Sequence, residues 1–145
     1  MKIADCMTRD VQTVTPDQSI REAAEFMLRC DAGSMPVGDG DRLVGMITDR
    51  DIAVRAVAEG RGPDTPVRDV MSNELLYVFE DQDVEEAAAN MADSQVRRFP
   101  VVSREKRLVG IVSLGDISRS DTEAGETALE GVTDPGGRHN QSMTA

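Results

Sequence analysis

What this chain lacks narrows its chemistry before any motif is read. Aromatic residues make up 3%, with three Phe, one Tyr and no Trp. That leaves no platform on which single-stranded nucleic acid could stack. Positive charge is short as well: 16 Lys and Arg face 27 Asp and Glu, for a net charge of −11. Phosphate backbones need clustered cations, so DNA and RNA are excluded as main partners, while a small anion in a locally basic pocket is not. One histidine, His139, and two cysteines, Cys6 and Cys30, offer zinc no sensible ligand set. No run of 18 or more apolar residues occurs, and Met1-Lys2-Ile3-Ala4-Asp5 has no hydrophobic signal region. The expectation is a soluble, cytoplasmic protein without a membrane partner.

What the chain does have, it has twice. At an offset of 64, Ile3-Ala4-Asp5-Cys6-Met7-Thr8 lies over Val67-Arg68-Asp69-Val70-Met71-Ser72. Ile20, Ala23, Ala24 and Met27 lie over Val84, Ala87, Ala88 and Met91, and Met35-Pro36-Val37 over Phe99-Pro100-Val101. At an offset of 65, Leu43-Val44-Gly45-Met46-Ile47-Thr48 meets Leu108-Val109-Gly110-Ile111-Val112-Ser113, and Asp51-Ile52 meets Asp116-Ile117. A unit of roughly 50 to 55 residues buries little core alone, so the expectation is two copies packed on each other, with function where they meet. Cys6 and Cys30 fall opposite Val70 and Ser94, which predicts buried thiols in a reducing compartment and leaves a Cys6–Cys30 disulfide open.

Each copy reads as strand, helix, strand, strand, helix. Val11 to Val14 makes a short β run, and Ser19-Ile20-Arg21-Glu22 a capping box, with Glu22 reaching back to the Ser19 amide. Ile20, Ala23, Ala24 and Met27 form one apolar helical stripe. A short strand at Met35-Pro36-Val37, a turn at Gly38-Asp39-Gly40-Asp41 and a buried strand from Leu43 to Thr48 follow, and a second helix starts at Asp49. In the second copy, Leu75 to Arg119, Asp83 and Glu86 cap the first helix and Ser103 to Arg107 turns. Glu59-Gly60-Arg61-Gly62-Pro63-Asp64-Thr65-Pro66 is the break between copies. After Ser120, five acids, one Arg and almost no large apolar residue predict disorder.

The chemistry-bearing pattern is Gly-apolar-apolar-Ser/Thr-x-x-Asp, at Gly45 to Asp51 and Gly110 to Asp116. For a single copy the simpler reading is a helix cap. A second reading is compatible with it. The free amides of the first helical turn suit a phosphate, with the Thr48 or Ser113 hydroxyl as a further donor. An Asp one turn in can accept from both ribose hydroxyls, and the Gly would let a ring or backbone approach closely. Asp49-Arg50 becomes Leu114-Gly115 while Gly, hydroxyl and Asp recur, which marks those three as the constrained positions.

The duplicated units, the Asp-x-Met-Thr/Ser openings, the Met35-Pro36-Val37 and Phe99-Pro100-Val101 strands and the paired Gly…Ser/Thr-x-x-Asp endings resemble a pair of cystathionine β-synthase (CBS) domains, known as a Bateman module. The resemblance covers about residues 1 to 120. It implies an α/β (α+β) fold of two tandem β-α-β-β-α repeats related by a pseudo-two-fold axis: residues 1–60, residues 67–120, then a disordered acidic tail, 121–145. It also implies a regulatory, non-catalytic module that binds AMP, ADP, ATP, S-adenosylmethionine or NAD(H) in clefts between the repeats, and a homodimer. With no enzyme attached, the signal is expected to pass to a separate protein effector. By position, Asp51 and Asp116 would hold ribose, Thr48 and Ser113 would face phosphate, and Arg50 would stand beside them. Thr13 and Thr15, Tyr77 and Phe79, Met35 with Pro36 and Phe99 with Pro100 would line the base. Arg97 and Arg98, with Arg104, Lys106 and Arg107, form the chain's one basic cluster and suit a phosphate in the second site. The first site, carrying Asp49, should differ in affinity or preferred ligand.

Two other classes compete. Met46-Ile47-Thr48-Asp49-Arg50-Asp51 has the Asp-x-Asp form of an aspartyl-phosphate phosphotransferase, but that chemistry needs the first Asp as nucleophile and the second copy has Leu114 there. A paired-repeat dimeriser with no nucleotide ligand is the alternative. Calcium at Asp39-Gly40-Asp41 fails for want of the closing Glu.

Overall fold

The computed structural model describes residues 1–135. Ser19 opens the first helix, α1 (Ile20–Cys30), its hydroxyl accepting from the Glu22 amide at 3.1 Å. Ile20, Ala23 and Met27 face the core from the predicted stripe. Asp31 ends the helix in the left-handed region at φ 50°, and Gln95 at φ 55° does the same 64 residues on. The hairpin β1 (Ser34–Asp39) and β2 (Arg42–Thr48) is antiparallel, turned at Gly40 with φ 66° and bulged between Val37 and Gly38. A helical turn, α2 (Asp49–Asp51), continues as π-helix over Ile52–Val57. The second copy gives β3 (Val78–Phe79), α3 (Val84–Ser94), β4 (Arg98–Val102), β5 (Leu108–Ser113) and α4 (Leu114–Ser120), with sheet order β3-β4-β5. Helices and strands mix in each copy as the sequence predicts.

The chain divides into two compact units, and each takes its opening segment from the other copy. The first unit is Gln12–Leu75 with Lys106–Leu108, and the second is Met1–Val11, Leu76–Glu105 and Val109 onward. In the second unit the Ile3 and Ala4 amides donate to the Gln82 and Glu80 carbonyls, both at 2.9 Å. In the first, the Val67 and Arg68 amides donate to the Gln18 and Pro16 carbonyls at 2.8 and 3.0 Å. Thr8 then bridges Ile111, and Ser72 bridges Met46. Every partner in one unit is the repeat counterpart of its partner in the other. The expected single core is two: Val14, Ile20, Met27, Val37, Ile47, Val67 and Val70 in the first unit, and Ile3, Val78, Met91, Phe99, Val112 and Ile117 among those in the second.

The expected disorder after Ser120 is corrected over residues 122–132. Thr122–Val132 forms α5, started by the Asp121 carboxylate, which accepts from the Ala124 amide at 3.1 Å. Small residues hold it down. Ala124, Gly125, Ala128 and Val132 are buried, and a methyl on Gly131 would lie 2.3 Å from the Ala92 Cβ of α3. Gly125 presses equally closely on Ser118 of α4. Counting large apolar residues misses a contact made by Ala and Gly, where backbones approach and no side chain has to be ordered. Residues 136–145, including His139, lie outside the described residues. Among the described residues no helix is long and apolar enough to cross a membrane.

Two cap expectations are corrected. Glu22 does not close a reciprocal box; its carboxylate takes the Gln18 amide at 2.8 Å and lies 3.5 Å from the Ser19 hydroxyl. Asp83 makes no side-chain cap, because its carboxylate is 3.1 Å from Lys2 Nζ. The cysteines are free thiols, Cys6 half-buried and Cys30 exposed rather than buried. Cys30 sits at the end of α1, outside the stripe that meets the core.

Candidate functional site

Each unit carries one candidate half-site at the point where a buried strand turns into a helix. In the first unit β2 delivers Thr48. Its hydroxyl accepts from the Asp51 amide at 3.0 Å, and its own amide donates to Asp51 Oδ2 at 3.0 Å. In the second unit β5 delivers Ser113, whose hydroxyl accepts from the Asp116 amide at 3.1 Å while its amide donates to Asp116 Oδ2 at 2.9 Å. Both are complete capping boxes. The cap uses one carboxylate oxygen and a lone pair of the hydroxyl. It leaves Oδ1 of each Asp, and the hydroxyl proton of Thr48 or Ser113, for another partner.

The two Oδ1 oxygens are not alike. Asp51 Oδ1 has Arg55 Nε at 3.9 Å, a loose pair. Asp116 Oδ1 accepts from Arg119 Nη2 at 2.6 Å. Beside Asp116 lies the half-buried Cys6 thiol, whose pKa is pushed up first by burial and then by the Asp116 charge, against a hydrogen bond to Ser120. The thiol is therefore held protonated.

The motif glycines serve the fold. A Cβ on Gly45 would sit 2.7 Å from the Ser72 carbonyl oxygen, and one on Gly110 2.8 Å from the Thr8 carbonyl oxygen. What approaches closely is the exchanged opening segment.

The remaining expected residues divide by unit. In the first, Thr13 and Thr15 flank Val14, which bridges Val37; Thr13 is half-buried and Thr15 exposed. Met35 and Pro36 are buried in β1, with Met35 part of the core. Arg50 is exposed, its amide donating to Asp49 Oδ1 at 2.8 Å, and the Asp49 amide donates to the Gly33 carbonyl at 2.9 Å. In the second unit Tyr77 and Phe79 meet edge to face at 5.5 Å. Phe99 and Pro100 are buried in β4, and Phe99 belongs to the core. Arg97 and Arg98 are exposed, and among the described residues neither has an ion pair.

The basic cluster does not assemble as expected. Arg104 grips Asp81 with Nε and Nη2 at 2.9 and 2.8 Å and covers the Phe79 ring at 4.1 Å. That grip holds the Asp81 carboxyl below its ordinary pKa. Arg107 and Lys106 belong to the first unit, where Arg107 meets Asp41 at 2.6 Å. Arg97 and Arg98 remain.

Sequence reasoning missed two features. Gln18 and Gln82 each accept from the amide three residues back, Thr15 at 2.8 Å and Phe79 at 2.7 Å, and donate to Glu22 and Glu86. They pin the segments expected to line a base to the helices, and their identity at an offset of 64 was the available signal. Arg55 and Arg119 were missed because their spacing from the Asp differs between copies. Among the described residues no group of three or more His, Cys, Asp or Glu could hold a metal ion.

The CBS domain model matches residues 3–57 and 67–123. The chain is 43% identical to the CBS domain-containing protein YhcV of Bacillus subtilis, over 90% of this chain and 94% of that one. It resembles the CBS domain pair of protein MJ0100 in complex with 5′-methylthioadenosine and S-adenosyl-L-methionine at a TM-score of 0.74 and 30% identity, covering 85% of this chain and 97% of that one. It resembles CBSX2 in complex with AMP at 0.73 and 26%, covering 84% and 96%. With both repeats matched and a relative 43% identical over nearly its whole length, the chain belongs to the CBS domain family.

Proposed function

We propose that this protein is a non-catalytic sensor whose two half-sites hold adenosyl ligands and whose state is relayed to a separate protein. One observation carries the reading: in both copies the helix-capping Asp spends Oδ2 on the cap, so Oδ1 is the oxygen the cap leaves for a ribose diol. The relatives bound to AMP, S-adenosyl-L-methionine and 5′-methylthioadenosine supply the ligand class. Asp51 and Asp116 accept from ribose, and Thr48 and Ser113 donate to phosphate. Thr13 and Thr15 border the base in the first half-site, and Tyr77 and Phe79 border it in the second. Met35 and Pro36 in the first, and Phe99 and Pro100 in the second, complete the set expected at the base, all four buried in their strands. Arg97 and Arg98 favour an anionic ligand in the second half-site; in the first, Asp49 opposes one, against Arg50 beside it and Arg55 3.9 Å from Asp51 Oδ1. The Cys6 thiol beside Asp116 is held protonated, and among the described residues no metal set is present, so turnover is not part of the reading.

A dimerising role has its own support. Leu28, Val54 and Val57 of the first unit are 83, 47 and 68% exposed, apolar surface that a second copy of the chain would cover.

The test measures stability and affinity together. Asp51→Ala and Asp116→Ala each lose a charge-assisted pair, so affinity for AMP or S-adenosylmethionine should fall about 10- to 150-fold at the affected site. Stability should fall by about 0.5–2 kcal/mol from the lost cap. If stability falls and affinity for every adenosyl ligand the native protein binds stays unchanged, the carboxylates are caps alone.

A further inference from the structure

We infer that Arg119 is a built-in competitor for the ligand of the second half-site, a guanidinium that occupies the carboxylate oxygen a ribose must take. The inference rests on the ribose reading of Asp116 and adds a regulating residue to it. The Asp116 side chain is 12% exposed, and its Oδ2 is committed to the Ser113 amide at 2.9 Å. Only Oδ1 is left, and Arg119 Nη2 sits on it at 2.6 Å. A ribose diol that gives both hydroxyls to Oδ1 uses both of its lone pairs, so it has to displace the charge-assisted hydrogen bond.

The local sequence lets Arg119 fold back this way. A Cβ on Gly115 would lie 3.3 Å from Arg119 Nη1, so the guanidinium rests where residue 115 has no side chain. The first copy has Arg50 at the matching place, and its nearest arginine, Arg55, stays 3.9 Å from Asp51 Oδ1. Val54 is the counterpart of Arg119, so the competitor is a property of the second copy alone. The Arg119 side chain is 74% exposed, so it leaves at modest cost and acts as a threshold on occupancy rather than a block.

Titration with adenosine isolates the ribose from any phosphate. Arg119→Gln should bind adenosine about two- to fivefold more tightly than the native protein at low salt. The gain should shrink toward 0.5 M salt, where the native pair is screened. Arg119→Lys, which keeps the charge and loses the planar fork, should fall between them. Unchanged or weaker adenosine binding by Arg119→Gln, with Asp116→Ala still abolishing it, overturns the inference and leaves the ribose reading standing. Weaker AMP binding with adenosine unchanged makes Arg119 a phosphate ligand and also overturns it. If neither the native protein nor Arg119→Gln binds adenosine or AMP, the ribose reading fails and the inference with it. Comparison of melting temperatures with and without ligand confirms that the variants are folded.

Discussion

The two units share one plan, and they differ mainly in what covers their helices. In the second unit α5 lies on α3, with Gly131 against Ala92. In the first unit the counterpart of Ala92 is Leu28, which is 83% exposed. The same helix face is thus closed by the chain's own tail in one copy and open in the other. The half-sites differ in the same sense, since Asp116 is held by an arginine at 2.6 Å and Asp51 by one at 3.9 Å. Duplication preserves backbone pairing and caps, which are local demands. It leaves each copy free to change what touches its outer surface. The second unit has become the closed, self-satisfied copy and the first the open one.

The largest expected effect tests which opening segment belongs to which unit. Ile3 is fully buried in the second unit's core, so Ile3→Ala should cost about 2–5 kcal/mol. The loss should appear as faster amide hydrogen exchange in α3 and α5, with the β1–β2 hairpin protected as before. Val67→Ala should do the reverse, loosening β1 and β2 at a smaller cost because valine has less to lose. Loosening of the first unit's hairpin by Ile3→Ala would mean that the segments are not exchanged.

Next in size is the tail contact. Ala92→Leu should cost about 1–3 kcal/mol by forcing α5 away, and so should Gly131→Ala, although alanine is the better helix former. The mirror change, Leu28→Ala, should stay within about 0.5 kcal/mol in urea denaturation of the isolated chain, since Leu28 touches water. If Ala92→Leu proves neutral, α5 does not pack in solution. A Leu28→Ala loss that grows with protein concentration would instead show the open face engaged by a second copy.

How much of this was legible follows from how local each feature is. The repeat, the β1–β2 hairpin and the Ser113–Asp116 and Thr48–Asp51 boxes lie within a few residues of each other, and their spacing shows in the sequence. The exchange of opening segments could not be read, because Ile3 and Val67 fit either pocket and only the path of the chain decides. The α5 contact was hidden because Ala124, Ala128 and Gly131 look like the absence of a core. The basic cluster dissolved because Arg104 and Arg107 found Asp81 and Asp41, which are 23 and 66 residues away along the chain. Asp83 fitted the cap pattern as well as Ser19 did, yet Lys2, brought alongside by the exchange, takes its carboxylate.

The smallest expected difference concerns those two cap residues. Ser19 and Asp83 occupy the same place, and sequence alone treats them as equivalent. Ser19→Ala removes a hydroxyl that accepts from the Glu22 amide at 3.1 Å, so it should cost about 0.5–2 kcal/mol, largely independent of salt. Asp83→Ala removes only the partner of Lys2, an ion pair exposed on both sides, so it should cost less, and the loss should vanish in high salt. Asp83 raises the Lys2 pKa through its hydrogen bond and its charge. The contribution of that pair is therefore complete at neutral pH and is lost as pH rises through the raised lysine pKa. Melting curves of both variants at low and high salt, near neutral pH, decide the matter. An Asp83→Ala loss equal to that of Ser19→Ala and unmoved by salt would mean that Asp83 caps α3 after all, and that the two copies start their first helices by the same device.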